Sequence, residues 1–552
     1  MIEPRKEVVE VDAIRKAEDN IGCGKPDRLG RGQRAGHVHE GFLESWEISS
    51  APFFRDGTAE RRKRSEAEAG EKSEHLDKSA DEGEPVRGDP SEQSGCRSME
   101  PIGGKMVETS DSEAVSTRTE RIAKLAKQMP GAVLKTLAHH IDVKWLKEAY
   151  LRTRKDGATG VDGQSADEYG KNLEANLQLL LERAKSGTYR APPVRRVHIP
   201  KGDGQTRPLG IPTFEDKVLQ RAVAMLLEAV YEQDFLECSY GFRPGRSAHQ
   251  ALSKLRDTLM EMGGGWVVEV DVRRYFDTID HEHLRTVLHQ RIGDGVVLRL
   301  IGKWLNAGVM ERGQLSYPEA GTPQGGVISP MLANVFLHEV LDKWFESEVK
   351  PRLRGRAVLV RFADDFVIAF EREDDARRVH EVLPKRFEKY GLALHPEKTR
   401  LVPFRRPSSS KDDDGTTTGS GQGTFDLLGF TLHWARSERG YWVIQMTTAR
   451  NRFTRTLHNL TGWCRRNRHQ PVREQWLKIR RFLVGHFAYF GIVGNHGRLL
   501  ALRHAAYRIW RSWLNRRSQR ARVTWARMRQ LHERYPLPRL PEPRSLRALA
   551  KP

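Results

Sequence analysis

Three aspartates stand at the ends of apolar runs. In VVEVDVRRYFDTIDH (267–281) a short, nearly continuous apolar stretch delivers Asp271 at its exit. In VRFADDFVI (360–368) a second apolar stretch delivers Asp364 and Asp365. RAVLVRF (356–362) and FVIAF (366–370) predict two strands joined by Ala363-Asp364-Asp365, a hairpin with carboxylates at its tip. Burying strands that end in unpaired acids is costly unless a cation collects them. A few carboxylates suffice for Mg²⁺, which takes oxygen ligands and keeps waters and substrate phosphates. The chemistry such a set suits is in-line phosphoryl transfer with two divalent ions roughly 3.5–4 Å apart. Taken singly, each aspartate is also a common hairpin-turn residue, so the metal reading depends on its neighbours.

The elements that must position these carboxylates are legible as alternating strands and helices from residue 190 onward. VRRVHIP (194–200) alternates like a strand, and WVVEV (266–270) reads as a central strand. FEDKVLQRAVAMLLEAVYEQDF (214–235) is an amphipathic helix with Val218, Ala222, Met225 and Leu226 on one side. Ser165 and Ser247 are expected helix N-caps. Ser329 and Pro330 are expected as the cap and first residue of a helix through about Trp344. Upstream, Ile122, Leu125, Leu134, Leu137, Trp145, Leu146 and Tyr150 carry helical spacing over 117–154, and order is expected from about residue 115.

Residues 1–110 lack apolar periodicity and are rich in Glu, Lys, Arg, Gly and Ser. Such composition cannot offset its ordering entropy and reads as disordered. Met99 and Met106 are alternative starts. Residues 407–424 (PSSSKDDDGTTTGSGQGT) read as a flexible loop, and Asp412-Asp413-Asp414 within it as a solvated charge run. The N-terminus has no apolar stretch of a signal peptide, and no apolar run is long enough to span a membrane. The four cysteines, Cys23, Cys96, Cys238 and Cys464, are far apart and form no CxxC pair, which predicts reduced thiols. The net charge of +20 is unevenly placed. Residues 441–552 hold 25 Lys and Arg against three acids, a net of +22, which leaves the first 440 residues at −2. That asymmetry predicts a polyanion-binding region appended to a near-neutral body.

FADD (362–365) resembles the core box of reverse transcriptases, in the form common among group II intron-encoded proteins. The companion boxes occur in order. GATGVDG (157–163) resembles the family's N-terminal extension box. HIPKGDGQTRPLGIPTFEDKVLQRAV (198–223) resembles the fingers box, and ECSYGFRPGRSAHQAL (237–252) the template-contacting box. DVRRYFDTIDH (271–281) is similar to the first metal box and GTPQGGVISPMLANVFLH (321–338) to the nucleotide-pocket box. GLALHPEKTRLV (391–402) and FDLLGFTL (425–432) resemble the next box and the primer grip. The resemblance covers about residues 115–540.

What the resemblance implies is an α+β right-hand polymerase. Fingers and a palm with a ferredoxin-like antiparallel sheet would be followed by an all-α thumb/maturase domain. The divisions would be a disordered tail over 1–110, fingers and palm over 111–440 with a core at 182–434, and the helical domain over 441–552. The implied metal set is Asp271, Val272, Asp364 and Asp365, with two Mg²⁺ ions, Mn²⁺ as a substitute and no other cofactor. Lys398 in HPEKT resembles the residue that protonates pyrophosphate. Lys201 and Arg207 resemble triphosphate-holding residues, where cations would neutralise phosphate; as Lys and Arg they also fit solvated surface charges. Phe276 stands at the aromatic gate that excludes a 2′-hydroxyl, or is a core ring beside Tyr275. Gln324 and Gly325 resemble the nucleotide-pocket wall. Arg243 and Arg246 are expected on template phosphates or as turn caps.

RRFLVGHFAYFGIV (480–493) and RRSQRARVTWARM (516–528) resemble the maturase-specific region. Arginines with interleaved aromatics suit RNA, by phosphate contacts and base stacking, although many of these tryptophans must also be core. The implied partners are group II intron RNA, a primer–template duplex and deoxynucleoside triphosphates, with no membrane; the oligomeric state stays open. The implied setting is the bacterial cytoplasm, in a nucleoid-associated or ribonucleoprotein form. No H-N-H or paired-cysteine cluster follows the helical region, so the resemblance is to the type without an endonuclease domain. Two other classes stay open: an RNA-binding splicing factor with an inactive polymerase, and a retron, diversity-generating or defence-linked enzyme.

Overall fold

The computed structural model describes residues 104–200, 206–311, 313–317, 321, 325–407 and 423–549. Lys201, Gln324, Asp412-Asp413-Asp414, Cys23, Cys96 and nearly all of the expected N-terminal tail lie outside the described residues. The first described helix, Gly104–Gln128, starts earlier than the expected onset of order near 115. Val115, Ile122 and Ala126 form its buried stripe. The turns before Val115 continue the helix without an apolar signal of their own, which is why the sequence conceals them.

The helix Phe214–Tyr231 is buried along almost its whole length. Thr213 caps it by accepting from the Asp216 amide. Trp145, on the helix Val143–Arg152, donates its indole N–H to the Ala222 carbonyl at 2.9 Å. Ser165 and Ser247 cap their helices as expected, each in a reciprocal capping box. Ser329 does not cap: Ile328 takes that position and the helix Ser329–Leu337 starts on Ser329 itself. That helix runs on as a π-helical stretch, His338–Val349.

Three sheets follow. β1 (Val194–Pro200), β2 (Thr206–Ile211), β4 (Val309–Glu311) and β5 (Gln314–Ser316) form the first, in the order β2-β1-β4-β5. β3 (Gly264–Asp271), β6 (Ala357–Phe362), β7 (Asp365–Phe370) and β8 (Arg400–Arg405) form the second, in the order β6-β7-β3-β8. All its pairings are antiparallel. With helices between β3 and β6 and between β7 and β8, the chain order is β-α-β-β-α-β. The helices Ala248–Glu261 and Glu373–Glu388 pack on β3, and Glu373–Glu388 also on β7. β9 (Phe425–Leu427), β10 (Phe430–Arg436) and β11 (Trp442–Thr448) form the third sheet, in the order β11-β10-β9.

Beyond β11 the described chain is helical: Arg450–Arg466, Val472–Phe490, His496–Leu514, Trp525–Arg534 and a last turn Leu546–Leu549. Leu460, Trp463, Ile479, Leu483, Leu502, Trp510 and Met528 are buried here. Trp525 is exposed, with the Arg511 guanidinium 3.8 Å over its ring. Among the described residues, no helix is long and apolar enough to cross a membrane.

Candidate active site

Strand pairing alone assembles the three aspartates. Asp271 ends β3 and lies directly opposite Asp365, the first residue of β7. Phe362 and Asp365 close the β6–β7 hairpin, leaving Ala363-Asp364 as its two-residue turn. Ala363 adopts a left-handed conformation, φ 58°, the geometry that lets so tight a turn follow the strand twist. Among the described residues the non-glycine positions with positive φ are Phe242, Arg274, Ala363 and Leu428. Arg274 follows Asp271 by three residues, and the Phe242 ring lies 6.4 Å from that of Phe362. The Leu428 backbone N–H is close enough to the Asp365 carboxylate to oppose the rise of its pKa. Backbone strain of this kind persists only where the surroundings impose it, and it gathers at functional sites.

The turn is held from behind by a residue that the sequence patterns do not single out. Arg361 is wholly buried on β6. Its guanidinium binds the buried Asp342 carboxylate with bonds of 2.7 and 2.5 Å. It also donates to Ser239 Oγ at 2.8 Å, Asn334 Oδ1 at 3.0 Å and the Ala363 carbonyl at 3.0 Å. Burial alone would raise the Asp342 pKa, but the guanidinium more than offsets it and holds the carboxyl below its usual range. Asn334 extends the network by donating to the Gly241 carbonyl at 2.7 Å. Gly241 lies so close to the turn that a Cβ there would come 2.3 Å from the Ala363 nitrogen. A buried arginine inside an apolar strand gives no periodic signal; the Arg-Phe-Ala-Asp-Asp run is its only trace.

The electrostatics of the carboxylates are strained. Burial raises the pKa of Asp364, with Asp271 adding to the push and Arg207 opposing it. Arg207, paired with Ile199 across the β1–β2 hairpin, is near enough for its charge to be felt at Asp364. Asp365 is pushed up to about 7 by its protein surroundings, then by Asp364 and Asp271. Water nevertheless reaches Asp365 on one side, so the direction of the shift is what bears on its chemistry. Glu269, on the same face of β3, adds a fourth negative charge and pairs with Arg400 at 2.7 Å. Lys398 Nζ lies 2.8 Å from Asp271 Oδ2. Among the described residues, no three acidic, histidine or cysteine side chains converge tightly enough to hold an ion by themselves. Val272 is joined to Leu394 by an isolated bridge. Its two bonds use the carbonyls of Asp271 and Ala393, leaving that of Val272 outside it.

The loop carrying Gly325 is built by close backbone approach. Gly325 has φ 112°, and a Cβ there would meet the Gly210 carbonyl of β2 at 2.6 Å. Gln220 accepts from the amides of Val327 and Ile328 at 2.8 and 3.4 Å, tying this loop to the helix Phe214–Tyr231. Gly321 lies against the Asp277 backbone. Phe276 is half-buried, its ring edge-on to Tyr275, whose hydroxyl donates to the Ala333 carbonyl at 2.7 Å. Of the two roles open to Arg243, the structure shows the turn cap: its side chain is buried, binds Glu232, and donates to the Leu236 and Ser239 carbonyls, both at 2.8 Å. With its donors spent on its own turn it is a cap and cannot reach a phosphate. Arg246 pairs with the exposed Glu237 at 2.7 Å, an exchangeable surface pair.

This geometry, carboxylates in register at the edge of a β-α-β-β-α-β sheet, agrees with what comparison with known proteins finds. Residues 199–432 match the family model described as "Reverse transcriptase (RNA-dependent DNA polymerase)". The chain is 35 % identical to protein YkfC of Escherichia coli over 286 residues, covering 46 % of this chain and 75 % of YkfC. It is 40 % identical over 231 residues to the group II intron-encoded protein LtrA of Lactococcus lactis, covering 41 % of this chain and 37 % of LtrA. The putative COX1/OXI3 intron 2 protein of Saccharomyces cerevisiae is 34 % identical over 209 residues, 38 % of this chain and 24 % of that protein. The chain thus belongs to the reverse transcriptase family, in its group II intron-encoded branch. It spans three quarters of the first of these relatives but little more than a third of the second.

Proposed function

We propose that the protein is an RNA-directed DNA polymerase that copies group II intron RNA and assists its splicing. The observation that carries this reading is the register of Asp271 opposite Asp365 with Asp364 at the adjoining turn. In this reading the second sheet is the palm, the β1–β2 hairpin with its flanking helices is the fingers, and residues 441–552 are the thumb and maturase region.

The residues fit a divalent cation site. The donor set is oxygen only, the chemistry that suits Mg²⁺. The raised pKa values of Asp364 and Asp365 mark acids with too little positive charge around them. Lys398 is the cation that answers Asp271. Asp271, Asp364 and Asp365 would hold the ions, with the Val272 carbonyl at the same edge. The dispersed carboxylates accord with a site that closes only when substrate phosphates add their oxygens. Two bound divalent ions would supply activation of a primer hydroxyl and neutralisation of an in-line phosphoryl transfer.

The chain's own residues supply the rest. Arg207 and Lys201 neutralise the triphosphate. Lys398 carries a proton within reach of the reacting edge. Gly325 and Gln324 form the wall, where only glycine lets the backbone approach so closely. Phe276 offers the ring on which the sugar rests.

The test is primer extension on an RNA template with Mg²⁺. The intact protein makes complementary DNA, and Asp364→Asn makes none while still binding intron RNA in filter assays. No product from the intact, folded protein would leave only the splicing-factor reading. Loss of RNA binding in folded Asp364→Asn would refute two separable functions.

A further inference from the structure

The carboxylate site is bonded to the helical region by a short chain of backbone groups. β9 and β10 are joined by a two-residue turn, Leu428-Gly429, with Leu427 opposite Phe430. Leu428 has φ 52° and Gly429 φ 82°. Asparagine-glycine is the usual occupant of such a turn, because an asparagine tolerates the left-handed region. Leucine does not, so something outside the turn must hold it.

Two groups do so. The Tyr489 hydroxyl, near the end of the helix Val472–Phe490, donates to the Leu428 carbonyl at 2.9 Å. The Phe490 ring packs against Gly429, at 3.4 Å from where a Cβ would stand. On its other side the same turn points the Leu428 N–H at Asp365. The helix end is itself fixed to the helix Ala248–Glu261 and to β11. His249 Nε2 donates to the Tyr489 carbonyl at 2.8 Å, and Asn495, fully buried, joins the Phe490 carbonyl to the Thr448 amide. Burial keeps Tyr489 protonated, so it stays a donor.

We propose that Tyr489 is a positioning residue for the polymerase site, setting the Leu428 amide against Asp365 and so coupling the carboxylates to the state of the thumb helix. The inference rests on the polymerase reading. A displacement of the helix that breaks the Tyr489–Leu428 bond frees the strained turn to relax. Asp365 then loses its amide donor and its fixed orientation. RNA engaged by the basic helices would reach the chemistry through this bond, without touching the carboxylates.

The test uses the full chain carrying Tyr489→Phe, which keeps the ring packing and removes one hydroxyl. Three readouts are compared with the unaltered protein: amide hydrogen exchange at Leu428, Mn²⁺ affinity by water-proton relaxation, and steady-state primer extension. The expected result is faster exchange at Leu428 and Mn²⁺ and Mg²⁺ half-saturation raised about fivefold, the effect of removing one neutral hydrogen bond. kcat falls, while KM for the deoxynucleotide and intron RNA affinity stay unchanged. If folded Tyr489→Phe matches the unaltered protein in exchange and Mn²⁺ affinity, the relay is wrong. If the unaltered protein itself makes no DNA, it is the polymerase reading that fails, and the exchange and relaxation data still decide whether Tyr489 sets the turn.

Discussion

At Asp365, the surrounding protein and three neighbouring acids act in the same direction, raising the carboxyl pKa to about 7. The unfolded chain ionises this group near pH ~4, so the folded state binds the extra proton between about pH 4 and 7. Stability from this group is therefore highest at low pH and is lost as pH rises through that window. Asp365→Asn is expected to melt higher than the unaltered protein at about pH 7–8 without metal. The advantage should shrink toward about pH 5, as read by thermal melts across pH. Mg²⁺ should narrow the gap at high pH by stabilising only the unaltered protein. A constant difference at all pH values would show that repulsion at Asp365 is not the cause. The three aspartates were legible because apolar runs frame them. Arg361, Asn334 and Leu428 were not, because each acts through a group far away in sequence that no local spacing announces.

Arg361 acts at the scale of elements, since it fastens together β6, the Ala363 turn, the segment carrying Ser239 and the π-helical stretch bearing Asp342. Removing one partner of so buried a pair leaves an uncompensated charge. Arg361→Ala is expected to cost about 3–5 kcal/mol of unfolding free energy, measured from urea titrations. Arg361→Met with Asp342→Leu removes both charges and should recover most of that loss. DNA synthesis should stay impaired in the double variant, because the donor to the Ala363 carbonyl is gone. Recovery of full activity would show that the apolar packing alone positions the turn. Strand and helix types were legible here from apolar runs and caps. The capping role expected of Ser329 fails because Ile328 takes the cap position, and of the two roles open to Arg243 the turn cap holds because its partner Glu232 lies at the preceding helix end.

Over the whole molecule the dominant fact is charge separation. The net +22 of residues 441–552 sits beside a body of −2. Arg465, Arg473 and Arg520 are exposed in this region. Replacing all three with glutamine is expected to flatten the salt dependence of RNA binding, by about 0.7 in the log–log slope for each phosphate no longer neutralised. Filter binding across a salt series measures this. Extension of a pre-annealed primer at low salt should persist, because the carboxylate edge is untouched. An unchanged slope would move the RNA-binding surface elsewhere.

By itself the sequence determined the chemistry and the materials: acids at the ends of apolar strands, an ordered series of boxes, and a basic helical region. These are local patterns, fixed by strand and helix periodicity and by composition. Only the tertiary structure decided that Asp271 faces Asp365 across a ladder, that Lys398 answers Asp271, and that Tyr489 reaches the Leu428 turn. Those pairings join residues from 61 to 127 positions apart. Over such separations the partner is chosen by sheet register and helix packing, which no spacing along the chain encodes.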